Sequence, residues 1–178
     1  MIKLRLFSFL TYVDLECISA KEAIIQQLKV ESLDSIKKYN MFEIQLDVET
    51  RKVAEDYLNK IIGSSYYLLN SNKESYYINN IELKHKEYLD NTFFVKVNKL
   101  IANDEQKILG NIKNKLHVPI ARLNKSIVWE LKFKNNDLSK EEITNKIINT
   151  TNRNEGLLVN PLFERFSFLE SNSIYNAA

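Results

Sequence analysis

An α+β fold of two tandem ferredoxin-like units, each ordered β-α-β-β-α-β, is predicted by three observations. The first is a repeat: the stretch Tyr67–Ile78 aligns without a gap on Leu157–Phe168. Apolar pairs open both copies, Asn70 matches Asn160, Glu74 matches Glu164 and Tyr76 matches Phe166, a displacement of 90 positions in a chain of 178 residues. Solenoid repeats recur at roughly 20 to 50 residues, so this spacing signals two similar folding units. The second is that apolar residues alternate with a period of two, then recur at helical spacing, in the same succession in each half. The third is composition: 44% apolar and 27% charged residues are the proportions of a globular chain.

In the first half, residues 2–12 open with apolar and basic residues in alternation, a strand pattern. A helix is predicted over 19–30, with Ser19 as N-cap and Glu22 as its capping-box partner. Ala20, Ile24 and Leu28 share its inner face, with Ile25 adjoining. A short strand at 33–39 and a second at 42–48 follow, the latter alternating Phe42, Ile44 and Leu46 with Glu43, Gln45 and Asp47. The second helix spans 49–62, with Val53, Tyr57 and Ile61 on one stripe and Ala54, Leu58 and Ile62 beside it, and stops at Gly63. The unit closes with a strand at 74–83.

The second half repeats the order. A strand at 93–101 precedes a helix at 104–116, capped by Asp104 or Asn103, with Ile108, Leu109, Ile112 and Leu116 inward. Strands are read at 118–123 and 126–133, with Ile127, Trp129, Leu131 and Phe133 facing one way. Ser139 and Glu142 form a capping box ahead of Ile143, Ile147 and Ile148. The last strand is 163–169. The units are thus 1–84 and 92–170, joined by a short polar linker at 85–91 and followed by a tail at 171–178. Each is an antiparallel sheet with both helices on one face. A unit of this size buries only about 60% of its chain surface, so the two are expected to pack as a pseudo-dimer, sheet to sheet or edge to edge, that also protects their edge strands.

A net charge of +2 offers no electrostatic case for nucleic acid or an anionic membrane as partner. A single cysteine, Cys17, excludes an internal disulfide and fits a reducing cytoplasm; it reads as a small buried residue in preference to a nucleophile. No run approaches the roughly 20 apolar residues of a membrane helix, and a cytoplasmic location is expected.

The run Leu157-Leu158-Val159-Asn160-Pro161-Leu162-Phe163-Glu164-Arg165-Phe166 resembles the closing motif of the PurS family, the small subunit of phosphoribosylformylglycinamidine synthase. Arg122-Leu123-Asn124-Lys125 resembles that family's Arg-Val-Gly-Lys turn, and Asp104 matches the Asp that opens its first helix. Val128-Trp129-Glu130-Leu131 and Met41-Phe42-Glu43-Ile44 both resemble its apolar-apolar-Glu-Leu strand. The first half departs further, with Ile18 in place of the Asp, Ser71 in place of Pro161, and a turn, Lys38-Tyr39-Asn40-Met41, without the final Lys. Lys21 and Lys107 stand where the family has Gly. The chain therefore resembles a covalent PurS dimer. The resemblance implies a noncatalytic assembly subunit that bridges the large synthetase and glutaminase subunits and supports ammonia transfer in purine biosynthesis. It implies no cofactor on this chain; ATP, magnesium and glutamine belong to the partner subunits. Self-association is a further expectation.

The residues themselves carry no Gly-x-x-x-x-Gly-Lys loop and no metal-ligand spacing around His85 or His117. Glu141 and Glu142 are explained by a helix first turn. Candidate partner contacts are Arg122, Lys125, Asn160, Pro161, Glu164, Asn70 and Glu74. Asn70, Asn160 and Pro161 equally suit a turn into the final strands. Glu74 and Glu164 equally suit solvated strand positions. Tyr66, Tyr67, Tyr76 and Tyr77 are read as lining the seam between units or as half exposed. The alternative function is a ferredoxin-like small-molecule regulatory module. RNA binding is disfavoured by the near-neutral charge and the lack of an aromatic strand motif.

Overall fold

The computed structural model describes residues 1–81, 91–101, 104–135, 138–152, 154–170 and 174. It is an α+β structure. Strands β1 (Ile2–Leu10), β2 (Leu33–Leu46), β3 (Glu74–Ile78), β4 (Thr92–Lys99), β5 (Ile120–Phe133) and β6 (Glu164–Leu169) form one antiparallel sheet in the order β3-β1-β2-β5-β4-β6. The helices are α1 (Leu15–Gln26), α2 (Arg51–Ser64), α3 (Glu105–Leu116) and α4 (Lys140–Ile143), the last running on as a π turn over Thr144–Ile148. A single six-stranded sheet is formed, where a sheet in each half, packed face to face or edge to edge, was expected.

Each half runs β-α-β-α-β among the described residues, because the two short middle strands predicted in each half are one long strand. No turn occurs at 38–41 or at 122–125; both segments lie inside β2 and β5. Burial explains the misreading. Leu33, Ile36 and Tyr39 are buried at every third position, as are Ile120, Leu123 and Ser126. A pleat packed on one core buries every second residue; these strands contribute to one core at one end and to the other core at the other, and in sequence the departure looks like a break.

Register repeats between the halves. Leu6 faces Phe42 on one side and Ile78 on the other; Val95 faces Trp129 and Phe168 in the same way. Phe42 and Trp129 are therefore equivalent, and so are Ile78 and Phe168.

Caps set the helix starts. Asp14, not Ser19, is the N-cap of α1, its Oδ1 accepting from the Glu16 and Cys17 amides at 2.9 and 3.2 Å. Ser19 and Glu22 match the capping-box pattern but lie inside the helix. Thr50 caps α2 through the Val53 amide, and the helix continues past Gly63 to Ser64. Asp104 is the N-cap residue of α3 but makes no side-chain cap bond; Asn103 lies outside the described residues. The Ser139–Glu142 box forms as expected, Ser139 Oγ accepting from the Glu142 amide at 3.2 Å and Glu142 Oε2 accepting from the Ser139 amide at 2.9 Å. Hydrogen bonds from this box hold the Glu142 carboxyl below its usual range.

The chain forms two compact units, and each draws on both halves. One comprises Met1–Tyr12, Tyr39–Ile81 and Ile101–Ser126; the other Val13–Lys38, Glu82–Leu100 and Ile127–Ala178. β2 changes unit between Lys38 and Tyr39, inside the first predicted turn, and β5 between Ser126 and Ile127, just past the second. In the first unit, α2 and α3 bury Ala54, Leu58, Ile61 and Ile112 against Leu4, Leu6, Phe42, Ile44 and Leu46. Val53, expected inward, is exposed. Lys60 Nζ donates to the Leu116 carbonyl at 2.9 Å, placing a cation on the C-terminus of α3. In the second unit, α1 and α4 bury Cys17, Ala20, Ile24, Ile143, Ile147 and Ile148 against Val95, Val97, Trp129, Leu131 and Phe133. Residues 85–90 of the predicted linker and 171–173 and 175–178 of the predicted tail lie outside the described residues.

Candidate functional site

The repeated motif forms the same turn twice. In the first copy, the Asn70 amide donates to Glu74 Oε2 at 2.6 Å, and Asn70 Oδ1 accepts from the Asn72 amide at 3.1 Å. The Asn70 carbonyl accepts from the Lys73 and Glu74 amides at 2.9 and 2.8 Å. In the second copy, Asn160 donates to Glu164 Oε2 at 2.9 Å and Oδ1 accepts from the Leu162 amide at 3.1 Å. The Asn160 carbonyl accepts from the Phe163 and Glu164 amides at 3.0 and 2.9 Å. Asparagine supplies the side-chain acceptor two residues on, and the glutamate reaches back to an amide that would otherwise lie open. The first strand of each half docks alike: Thr11 donates to the Lys73 carbonyl and Leu100 to the Phe163 carbonyl. The apolar pairs that open each motif anchor the turn, with Leu68, Leu69 and Val159 buried and Leu158 packed on the core.

The copies differ outward. In the second, Leu162 is 76% exposed, Phe163 62% and Leu100 51%. The same positions of the first copy carry Asn72, Lys73 and Thr11. Pro161, with its fixed φ, occupies the position of Ser71 and accepts from the Arg165 guanidinium at its carbonyl. Two clasps of equal geometry thus present different surfaces, one polar and one apolar.

Arg122 and Lys125 are exposed on β5. Arg122 Nε donates to Asn124 Oδ1 at 3.3 Å. The Lys125 amide donates to Glu105 Oε1 at 2.7 Å, and its ammonium lies 5.6 Å from the centre of the Phe42 ring. The equivalence of Phe42 and Trp129 assigns a partner to Lys125 in the other half. Lys38 stands four residues ahead of Phe42, as Lys125 stands four ahead of Trp129. Lys38 lies 5.7 Å from the Trp129 ring centre and pairs with Glu16 in the first turn of α1. The lysine that seems missing from the first half is therefore present, displaced from the position a turn would give it. Such cation–ring contacts contribute about 0.5–2 kcal/mol, more where water is excluded. The Lys38 side chain is 18% exposed.

The glutamates that follow the two rings also correspond. Glu43 pairs with Lys3 at 3.0 Å and Arg5 at 3.7 Å, and Glu130, 1% exposed, with Lys37 at 3.2 Å. A carboxylate so buried requires a cation beside it. Of the tyrosines, Tyr66 is exposed and Tyr77 stacks on Phe9 with ring centres 5.0 Å apart.

Cys17 is buried, and its thiol is pushed up to about 12 by that burial and by the carboxylate of Asp14. It is a protonated core residue at neutral pH. His117 is exposed as the left-handed C-cap of α3, and His85 lies outside the described residues. Among the described residues there is no group of three or more His, Cys, Asp or Glu arranged to hold a metal ion. No helix among them is long and apolar enough to cross a membrane.

Comparison with known proteins yields no matching family model, no matching curated protein and no matching solved structure.

Proposed function

We propose that this chain is a covalent pair of PurS-like units, an assembly subunit that links a synthetase and a glutaminase chain and supports ammonia transfer between them. The observation that carries the reading is the doubled Asn–Glu clasp, built from the segment whose residues resemble the PurS closing motif. Two further features support it. The strand order is the same read from either edge once β1, β2 and β3 are exchanged for β4, β5 and β6, as a duplicated unit would give. Each compact unit takes strands and helices from both halves, so neither half supplies a complete unit alone. On this reading the two halves have separate tasks. The second-half clasp offers Leu100, Leu162 and Phe163 to a protein partner, since exposed apolar clusters on a rigid turn are what interface cores use.

The test is reconstitution. The tagged chain is mixed with synthetase and glutaminase subunits, formylglycinamide ribonucleotide, glutamine, ATP and magnesium, and formylglycinamidine ribonucleotide formation is followed. Co-elution and glutamine-dependent product formation are expected. Leu162→Ser with Phe163→Ser should weaken capture by about tenfold or more, because a central apolar anchor is worth at least about 1.4 kcal/mol. A chain that leaves glutamine-dependent synthesis unchanged and binds neither subunit overturns the proposal.

A further inference from the structure

β3 and β6 are the edge strands of the sheet, and their outer edges differ. Leu100 donates to the Phe163 carbonyl at 2.8 Å, which fixes the ladder that follows between β4 and β6. In that register Arg165 and Ser167 share bonds with Asn98 and Lys96. Phe166 and Phe168 stand in the alternate pairs and turn their N–H and C=O groups away from β4. Among the described residues nothing donates to or accepts from those outward groups. The same count on β3, where the Asn79 amide donates to the Arg5 carbonyl, turns Tyr76 and Ile78 outward. There the Asn80 amide already takes the Ile78 carbonyl at 2.9 Å, and the strand follows the polar clasp. Proteins usually blunt such edges, because an open one pairs with any extended chain. β6 is left open, and it begins directly after Leu162 and Phe163.

We infer, building on the assembly role proposed above, that β6 is a docking edge: the protein partner that covers Leu162 and Phe163 adds an extended segment to β6 as a further antiparallel strand. Backbone donors and acceptors two residues apart are matched by an extended chain and by little else. The Phe166 and Phe168 rings lie against the core of their unit, so apolar residues opposite them continue that layer. Arg165, exposed on the other face, donates to the Pro161 and Glu164 carbonyls, and among the described residues no carboxylate pairs with it. In an antiparallel pairing the residue opposite Arg165 takes the close, non-hydrogen-bonded position, where an acid neutralises the guanidinium. The segment that fits therefore alternates apolar and polar residues, carries an acid opposite Arg165, and ends in an apolar residue over the Leu162–Phe163 turn.

Residue-resolved hydrogen exchange on the full chain, free and mixed with the synthetase and glutaminase subunits, tests it. In the free chain the Phe166 and Phe168 amides should exchange much faster than those of Arg165 and Ser167, which β4 holds. In the complex they should slow by about tenfold or more. Replacing Phe168 by N-methylphenylalanine keeps the ring and blocks only the outward N–H. That change should leave circular dichroism unaltered and raise the Kd for the partner by about tenfold or more. A chain that binds neither subunit overturns the assembly role and the docking edge with it. A complex in which both amides still exchange freely, or one indifferent to the N-methyl group, overturns the docking edge alone. So does protection of both amides in the free chain, which shows the edge already covered.

Discussion

Removing each clasp glutamate should cost different amounts, although the two turns share a geometry. Glu74 Oε2 accepts from the Asn70 amide at 2.6 Å and Oε1 from the Ser8 hydroxyl at 3.2 Å, and Ser8 is fully buried. Glu164 accepts from the Asn160 amide at 2.9 Å at an exposed turn, where water can take its place. A hydrogen bond to a charged group contributes about 1.5–3 kcal/mol when shielded and toward 0.5–1 when wet. Glu74→Ala loses two such bonds and strips the Ser8 hydroxyl of this acceptor, for a total of about 3 kcal/mol. Glu164→Ala should lose about 1 kcal/mol. In a chain of this size, those values lower Tm by roughly 6–12 °C and 2–4 °C respectively. Glu74→Gln keeps an acceptor oxygen and should recover about half of the loss. Urea and thermal unfolding of the three variants measure this. Equal losses at the two turns, or a larger loss at Glu164, refute the idea that the first clasp bears structural weight and the second is left for binding.

Gly156 has φ +75°, and a Cβ there would meet the Asn149 carbonyl oxygen at 1.6 Å, so Gly156→Ala should destabilise by about 3 kcal/mol or more in denaturant unfolding. Gly110, inside α3, has open space around its Cβ position, so Gly110→Ala should raise stability by about 0.5–1 kcal/mol, read by the same melts. Native Cys17 should react with a thiol reagent at pH 8 far more slowly than in urea. Its folded pKa is raised from 9.0 to about 12, so the unfolded thiol ionises first and stability should fall as pH rises between those values. Cys17→Ser should flatten that limb of a pH–stability curve. The Glu142 carboxyl is held low by Ser139, so the box is stabilising above the ordinary carboxylate range and weakens as pH falls through the folded value. Ser139→Ala should remove that acid dependence.

The sequence alone made the outer layers of this fold legible and hid its middle. The repeat put the two turns in register and assigned Asn70 and Asn160 to them, but Glu74 and Glu164 read as solvated strand positions or partner contacts, and their bonds back to the Asn amides came only with the structure. Most of the inner face of each helix was readable from helical spacing, Val53 of α2 being the exception, and the Ser139 box from its capping pattern. The start of α1 was missed since Ser19 and Glu22 imitate a box, while the true cap, Asp14, is followed by the exposed Leu15 and Glu16. The long strands were missed for a different reason. Burial falls at every third position along Leu33–Tyr39 and Ile120–Ser126. Those strands serve one core at one end and the other core at the other, Leu33 and Ile36 as against Phe42 and Ile44 in β2, and Ile120 and Leu123 as against Trp129 and Leu131 in β5, a consequence of packing with segments distant in sequence. Once those strands were broken into hairpins, Lys38 was aligned with Arg122, and its correspondence with Lys125 was lost. The exposed apolar residues Leu162, Phe163 and Leu15 carry no local signal, because only burial separates them from core residues of the same type.

The central claim is that one chain does the work of two PurS-like copies between two enzymes. Native mass spectrometry of the mixture with synthetase and glutaminase subunits tests it most directly. The account expects a complex in which one copy of this chain accompanies each synthetase chain, and its loss with Leu162→Ser/Phe163→Ser. A complex that takes two copies per synthetase, or spectra showing only the free chain, would contradict it.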